Sequence, residues 1–154
     1  MTFRFSFISL LAFALACFSC SGNLGSSESR LVTCADSFAV HYFNYHFADA
    51  MRFCTPESEK WLRYAASNVH QADIDKLRAQ EEPATVEIGE TEINETDSTA
   101  IISMTVCNFL RMDSIGTSGH WVSHATFKFQ AVCKNKQWKI RMEDLPRSER
   151  RNRD

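Results

Sequence analysis

The sequence predicts an α+β domain in which two or three N-terminal helices pack on a curved four-stranded antiparallel sheet. Three observations carry this. The apolar period changes once, from three- and four-residue steps before Pro83 to alternation after it. Between Trp121 and Cys133 the large apolar side chains fall on odd positions, with mostly polar neighbours. Finally, a two-residue loop at Asn135-Lys136 would set Cys133 opposite Trp138, Ala131 opposite Ile140 and Phe129 opposite Met142, each an apolar pair on one face.

The elements follow in order. Val40, Phe43, Phe47, Ala50, Met51 and Cys54 trace one face of a helix that starts near Thr33 or Asp36. Thr55, Pro56 and Glu57 mark a second start, because Thr55 can cap free amides and Pro56 lacks the amide hydrogen that a first helical position leaves unused. Leu62, Ala65, Ala66 and Val69 give its inward stripe. A third, short helix spans 72–79 with Ile74 and Leu77 inward and ends before Pro83. Val86 and Ile88 open the first strand, with Gly89 at a bulge and a turn over 94–97. The second strand turns Ile102, Met104, Val106 and Leu110 inward; the third and fourth form the hairpin described above. Pairing Met112 with Trp121 would set Val106 against Phe127 and Cys107 against Thr126.

The ends read differently. Residues 1–16 have the basic start and apolar centre of an export signal, too short to span a bilayer comfortably. Residues 17–32 read as an anchor and flexible tether, because the run from Ser19 to Arg30 is small, polar and glycine-bearing. The domain is assigned to 33–145 and a charged, disordered tail to 146–154. There are 17 Lys and Arg against 19 Asp and Glu, a net −2 that becomes −3 if Arg4 leaves with the signal, which argues against nucleic acid as a partner.

Phe13-Ala14-Leu15-Ala16-Cys17 resembles the lipobox of bacterial lipoproteins, in which the cysteine becomes the lipidated first residue; Cys20 is the alternative. The alternative is an ordinary signal peptide without lipid. With the Phe47–Phe53 helix end, the Thr55-Pro56-Glu57-Ser58 start, the Asp97–Ile102 segment and the Asn135–Ile140 hairpin, the chain resembles small lipoproteins of the nuclear transport factor two-like, cystatin-like or lumazine-binding-like, superfamily. The resemblance covers 36–145 and implies a cone whose first helix and concave sheet enclose a pocket. It departs from the usual hairpin at Lys136-Gln137, where Asp-Gly or Gly-Lys is common.

Few residues offer chemistry. His46 and Asp49, three apart on a helix, could shuttle a proton if they faced the pocket; the plainer reading is a surface pair. His41 lies round the helix from His46, so the two should not share a metal. His120 and His124 would stand about 13 Å apart on a strand, on the face opposite Trp121, so no metal and no cofactor is expected. Phe43, Phe47, Trp121, Phe127, Phe129 and Trp138 are the pocket-lining candidates, although aromatic residues in strands more often fill cores. Cys34 and Cys54 would be about 30 Å apart on an unbroken helix, beyond disulfide reach unless the helix breaks near Asn44. Cys107 and Cys133 fall on opposite sheet faces and should not bond.

The sequence thus points to a non-enzymatic binding or interaction module held at a membrane of the bacterial cell envelope, on the periplasmic side or the cell surface, by an N-terminal lipid. It would take a small apolar ligand, a protein partner, or a second copy through the sheet face. The alternatives are an isomerase or dehydratase using His46 and Asp49, and a structural envelope protein without a ligand.

Overall fold

The computed structural model describes residues 22–112 and 116–149. The export segment, Cys17, Cys20 and the tail beyond 149 lie outside the described residues. Four helices, α1 (Gly22–Phe43), α2 (Phe47–Ala50), α3 (Glu59–Ser67) and α4 (Gln71–Arg78), precede four strands, β1 (Thr85–Asn94), β2 (Thr99–Arg111), β3 (His120–Lys134) and β4 (Gln137–Arg141). The strands form one antiparallel meander in the order β1-β2-β3-β4, curved and unclosed, with α1 across its apolar face. Among the described residues no helix is long and apolar enough to cross a membrane.

The first helix corrects two expectations. It begins at Gly22, so much of the segment read as a tether is helical: Leu31 is fully buried, the Trp138 Nε1–H donates to Ser27 Oγ at 3.3 Å, and Thr91 Oγ1 donates to Glu28 at 2.9 Å. Tertiary contact thereby overrides weak local propensity. The same helix stops at Phe43 rather than running to Cys54. Tyr45 takes a left-handed φ of 65°, and the Asn44 side chain brackets the start of the sheet, donating to Ala84 O at 3.0 Å and accepting from Ala84 N at 2.8 Å. Asparagine side chains satisfy backbone groups well at such corners, which is why the chain can turn there. After the corner, Phe47 and Ala50 are buried again, whereas Val40, expected on the inward face, is exposed.

The Thr55-Pro56 start is fastened to the sheet. Thr55 N donates to Ile140 O at 2.9 Å, and Met142 N donates to Ser58 Oγ at 2.8 Å. Thr55 Oγ1 does not cap an amide as expected; it bonds Ser58 Oγ at 2.8 Å, and both residues are buried. In the following helix Leu62 and Ala65 are buried, while Ala66 is exposed.

The sheet agrees with most of the pattern. Cys133 pairs with Trp138 and Ala131 with Ile140 around a turn in which Asn135 and Lys136 both have positive φ, 52° and 64°, the mirror-image turn suited to strand twist. The β1–β2 register shifts between Ile88 and Thr91, at the expected bulge beside Gly89; a Cβ at Gly89 would stand 2.7 Å from Ser103 Oγ. The β2–β3 register differs by two residues from the expected one: Met104 faces Phe127, Val106 faces Ala125 and Cys107 faces His124. A two-residue slip preserves the face of every side chain, so the core survives it. Ile102, Met104, Val106, Phe127, Phe129, Ala131, Trp138 and Ile140 all lie in the buried core beneath α1.

Candidate functional site

A cavity of about 410 Å³ lies beside the break after the first helix, between the sheet and the chain that follows β4. Its floor is aromatic. The Phe43 and Phe127 rings lie 4.8 Å apart between centroids, and Phe109 meets both edge-on at 5.3 and 5.7 Å. Phe47 enters from α2, with Tyr42 and Tyr45 each 5.4 Å from it. Offset and edge contacts of this kind fix ring positions while leaving apolar faces available to a guest.

The helix corner builds one wall. Tyr45, held by its left-handed backbone, donates its hydroxyl to Leu110 O at 3.0 Å across the opening. Burial pushes the hydroxyls of Tyr42 and Tyr45 far above the usual phenol range, with the Asp73 carboxylate adding to the effect at Tyr45, so both remain neutral donors.

The opposite wall comes from the chain after β4. Leu145, Pro146 and Arg147 line the cavity, then Ser148 bridges to Phe127 and Glu149 N donates to Thr126 O at 2.8 Å. Arg111 Nη1 donates to Ser148 Oγ at 3.2 Å, and Lys128 pairs with Glu149 at 2.9 Å. The segment from 146 to 149 is therefore a strap and not the solvated tail expected from its charge. The unpaired edge of β3 beyond β4 supplies the hydrogen bonds that hold it. Arg111 and Arg147 bring positive charge to the rim, the latter paired with Asp144.

Of the expected lining residues, Phe43, Phe47 and Phe127 border the cavity. Phe129 does not: it packs edge-on against Phe38 of α1, 5.5 Å between centroids, within the core. Trp138 is buried under the start of α1. Trp121 is 42% exposed, in a surface groove with Lys76 and Gln80 near the end of α4. His46 is exposed and Asp49 pairs with Arg52 at 3.5 Å; neither borders the cavity, because the corner at Tyr45 carries them outward. His120 and His124 are exposed on β3. Among the described residues no group of three His, Cys, Asp or Glu is placed to hold a metal ion.

Sequence reasoning missed Phe109, Tyr42, Tyr45 and the strap. A signal for Phe109 was present. Asn108 occupies an inward phase of β2 between Val106 and Leu110, and it adopts a φ of 54°, which turns Phe109 toward the core. Asn108 also ties this point to the loop before β1, donating to Glu82 O at 2.7 Å and accepting from Gln80 at 3.0 Å.

The other unforeseen group is Asp73, fully buried on α4. Its carboxylate accepts from His70 N at 2.8 Å, Gly119 N at 2.7 Å and Ser118 Oγ at 2.8 Å. Burial alone would raise its pKa, but these hydrogen bonds prevail and hold it below the ordinary aspartate value. It moors the β2–β3 loop to α4, behind the wall that carries Tyr45.

No protein-family model matches the sequence, and no curated protein matches it. Solved structures of similar shape include the TraE protein in complex with 2-(2-furyl)isonicotinic acid, at 12% identity over 85% of this chain and 98% of that one, with a TM-score of 0.49. A candidate dehydratase of the NTF2-like family from Streptomyces avermitilis is 15% identical over 75% of this chain and 92% of its own, with a TM-score of 0.42. An NTF2-like protein involved in plasmid conjugation is 10% identical over 83% of this chain and 51% of its own, with a TM-score of 0.36. These are likenesses of shape.

Proposed function

We propose that this chain is a non-enzymatic binding module of the nuclear transport factor two-like superfamily, lipid-anchored in the bacterial cell envelope through Cys17 or else Cys20, whose cavity takes a small apolar molecule. The observation that carries the reading is the aromatic cavity of about 410 Å³, within the range of roughly 300–1,000 Å³ usual for small-molecule sites. Phe43, Phe47, Phe109 and Phe127 supply apolar area, while Arg111 and the Arg147–Asp144 pair in the lining suit a ligand with one polar end. The position of His46 and Asp49 outside the lining favours binding over proton transfer by that pair. The outer sheet face, where Thr105, Thr126, Lys128 and Gln130 surround Ile101, is mostly polar, which favours the cavity as the binding site.

Native mass spectrometry of protein taken from its own membranes tests the ligand. A retained small-molecule adduct is expected in the wild type and should disappear in Leu145→Trp, where the indole fills the cavity from the strap. Titration with anilinonaphthalene sulfonate, an aromatic anion, should show saturable fluorescence that the same substitution abolishes. Absence of both signals from the folded wild type would refute the binding reading. The intact mass of the mature amino terminus tests the anchor separately: unmodified Cys17 and Cys20 would exclude it.

A further inference from the structure

We infer that Cys34 and Cys54 form a disulfide that ties α1 to the chain segment entering the Thr55-Pro56 helix start. The break at Asn44 removes the obstacle that an unbroken helix would pose, because the chain doubles back through α2 and returns Cys54 to the flank of α1. The Cys34 sulfur lies 3.6 Å from the carbonyl oxygen of Phe53, so it stands beside the peptide bond that begins Cys54. Both cysteines also converge on one stretch of β4. Cys34 Sγ donates to Trp138 O at 3.1 Å, while Cys54 forms a parallel bridge with Ile140. Both residues are buried, and each thiol now satisfies itself on a backbone carbonyl, Cys54 on Met51 O at 3.4 Å. Such weak sulfur donors lose little when the hydrogens leave.

The other two cysteines among the described residues are placed differently. Cys107 lies opposite His124 and Cys133 opposite Trp138, toward different ends of β3. Among the described residues, the Cys34 sulfur reaches the backbone that leads into another cysteine, Cys54.

The step balances as thiol–disulfide exchange with a low-molecular-weight disulfide such as oxidised glutathione. Two S–H bonds break, one S–S bond forms between Cys34 and Cys54, and the two electrons and two protons convert the oxidant into two thiols. Burial pushes both thiols up to about 11, partly offset by the nearby Lys139 ammonium. Few thiolates exist at neutral pH in the folded chain, so exchange belongs to the folding stage, before the sulfurs are covered. Once made, the bond is shielded by the same burial.

Tryptic mapping of the full chain tests this directly, since cleavage after Arg52 separates the two cysteines into peptides 31–52 and 53–60. The reduced, unfolded chain is refolded in a glutathione redox buffer, its free thiols are blocked under denaturing conditions, and it is digested without reductant. The expected result is peptide 31–52 joined to 53–60, with a melting temperature roughly 10 °C above that of the same protein refolded with excess reductant, as suits closure of a loop of about 20 residues. Finding Cys34 and Cys54 both blocked, or either joined to Cys107 or Cys133, would overturn the assignment.

Discussion

Replacing Asp73 with asparagine should destabilise the fold by about 3 kcal/mol at pH 7, and that deficit should fade in acid. The carboxylate receives three donors: Gly119 N and Ser118 Oγ on one oxygen, His70 N on the other. Asparagine keeps one acceptor oxygen for the Gly119 side, weakened by loss of charge, but turns an NH2 group toward the His70 amide, donor against donor. Hydrogen bonds to a charged group contribute about 1.5–3 kcal/mol each and neutral ones roughly half as much, so one lost and two weakened bonds give the stated cost. The folded pKa is depressed, so the wild type holds its full contribution above the unfolded value, near 3.8, and loses it as pH falls through the lower folded value. The asparagine variant has no such titration. Its deficit should therefore narrow below about pH 4, by no more than about 1.4 kcal/mol per pH unit. Urea unfolding followed by tryptophan fluorescence at pH 7 and pH 3 measures both quantities. A deficit under about 0.5 kcal/mol at pH 7, the scale of ordinary surface substitutions, or one unchanged between the two pH values, would refute the assignment of Asp73 as an ionised mooring.

Two further substitutions probe the backbone attachments. Ser58→Ala should cost about 2 kcal/mol in urea unfolding, because the Met142 amide loses its acceptor and Thr55 Oγ1 its partner in a fully buried setting. Lys136→Gly should stabilise the protein by about 0.5–1 kcal/mol, since Lys136 sits at φ 64° in a mirror-image turn where glycine carries no Cβ penalty; an unchanged or lower urea midpoint would count against that turn assignment.

The legible and illegible parts of this chain divide by the range of the interaction that fixes them. The β3–β4 hairpin was readable because five consecutive pairings, from Gln130 with Arg141 to Lys134 with Gln137, are set by one short turn and one alternation. The bulge at Gly89 was readable for the same reason. The β2–β3 register was not, because its connection is long and a two-residue slip leaves the apolar pattern intact. Phe129 and Trp138, cavity candidates for which core filling was the commoner expectation, lie in the core; their burial follows from alternation, whereas their separation from the cavity depends on where α1 crosses the sheet. The strap escaped notice because Arg147 and Glu149 look like a solvated end, and only the free edge of β3 explains why backbone from that charged run is retained.

The corner at Asn44 and Tyr45 connects the two functional proposals to a single cause. Had α1 continued to Cys54, Phe47 would have pointed along the same helical stripe as Phe43 and closed over the sheet, and Cys54 would have ended far from Cys34. The bond pair between Asn44 and Ala84 stops the helix and anchors the corner to the sheet, while the Tyr45 hydroxyl spans to Leu110. Turning there brings Phe47 back against Tyr42 and Tyr45 as a cavity wall, and it returns Cys54 to Ile140 and to the flank of Cys34. A covalent link between Cys34 and Cys54 would close the loop that contains this corner, so oxidation should hold the cavity wall in place as well as raise the melting temperature. The cavity and the cysteine pair are then two consequences of one short interruption in an amphipathic helix.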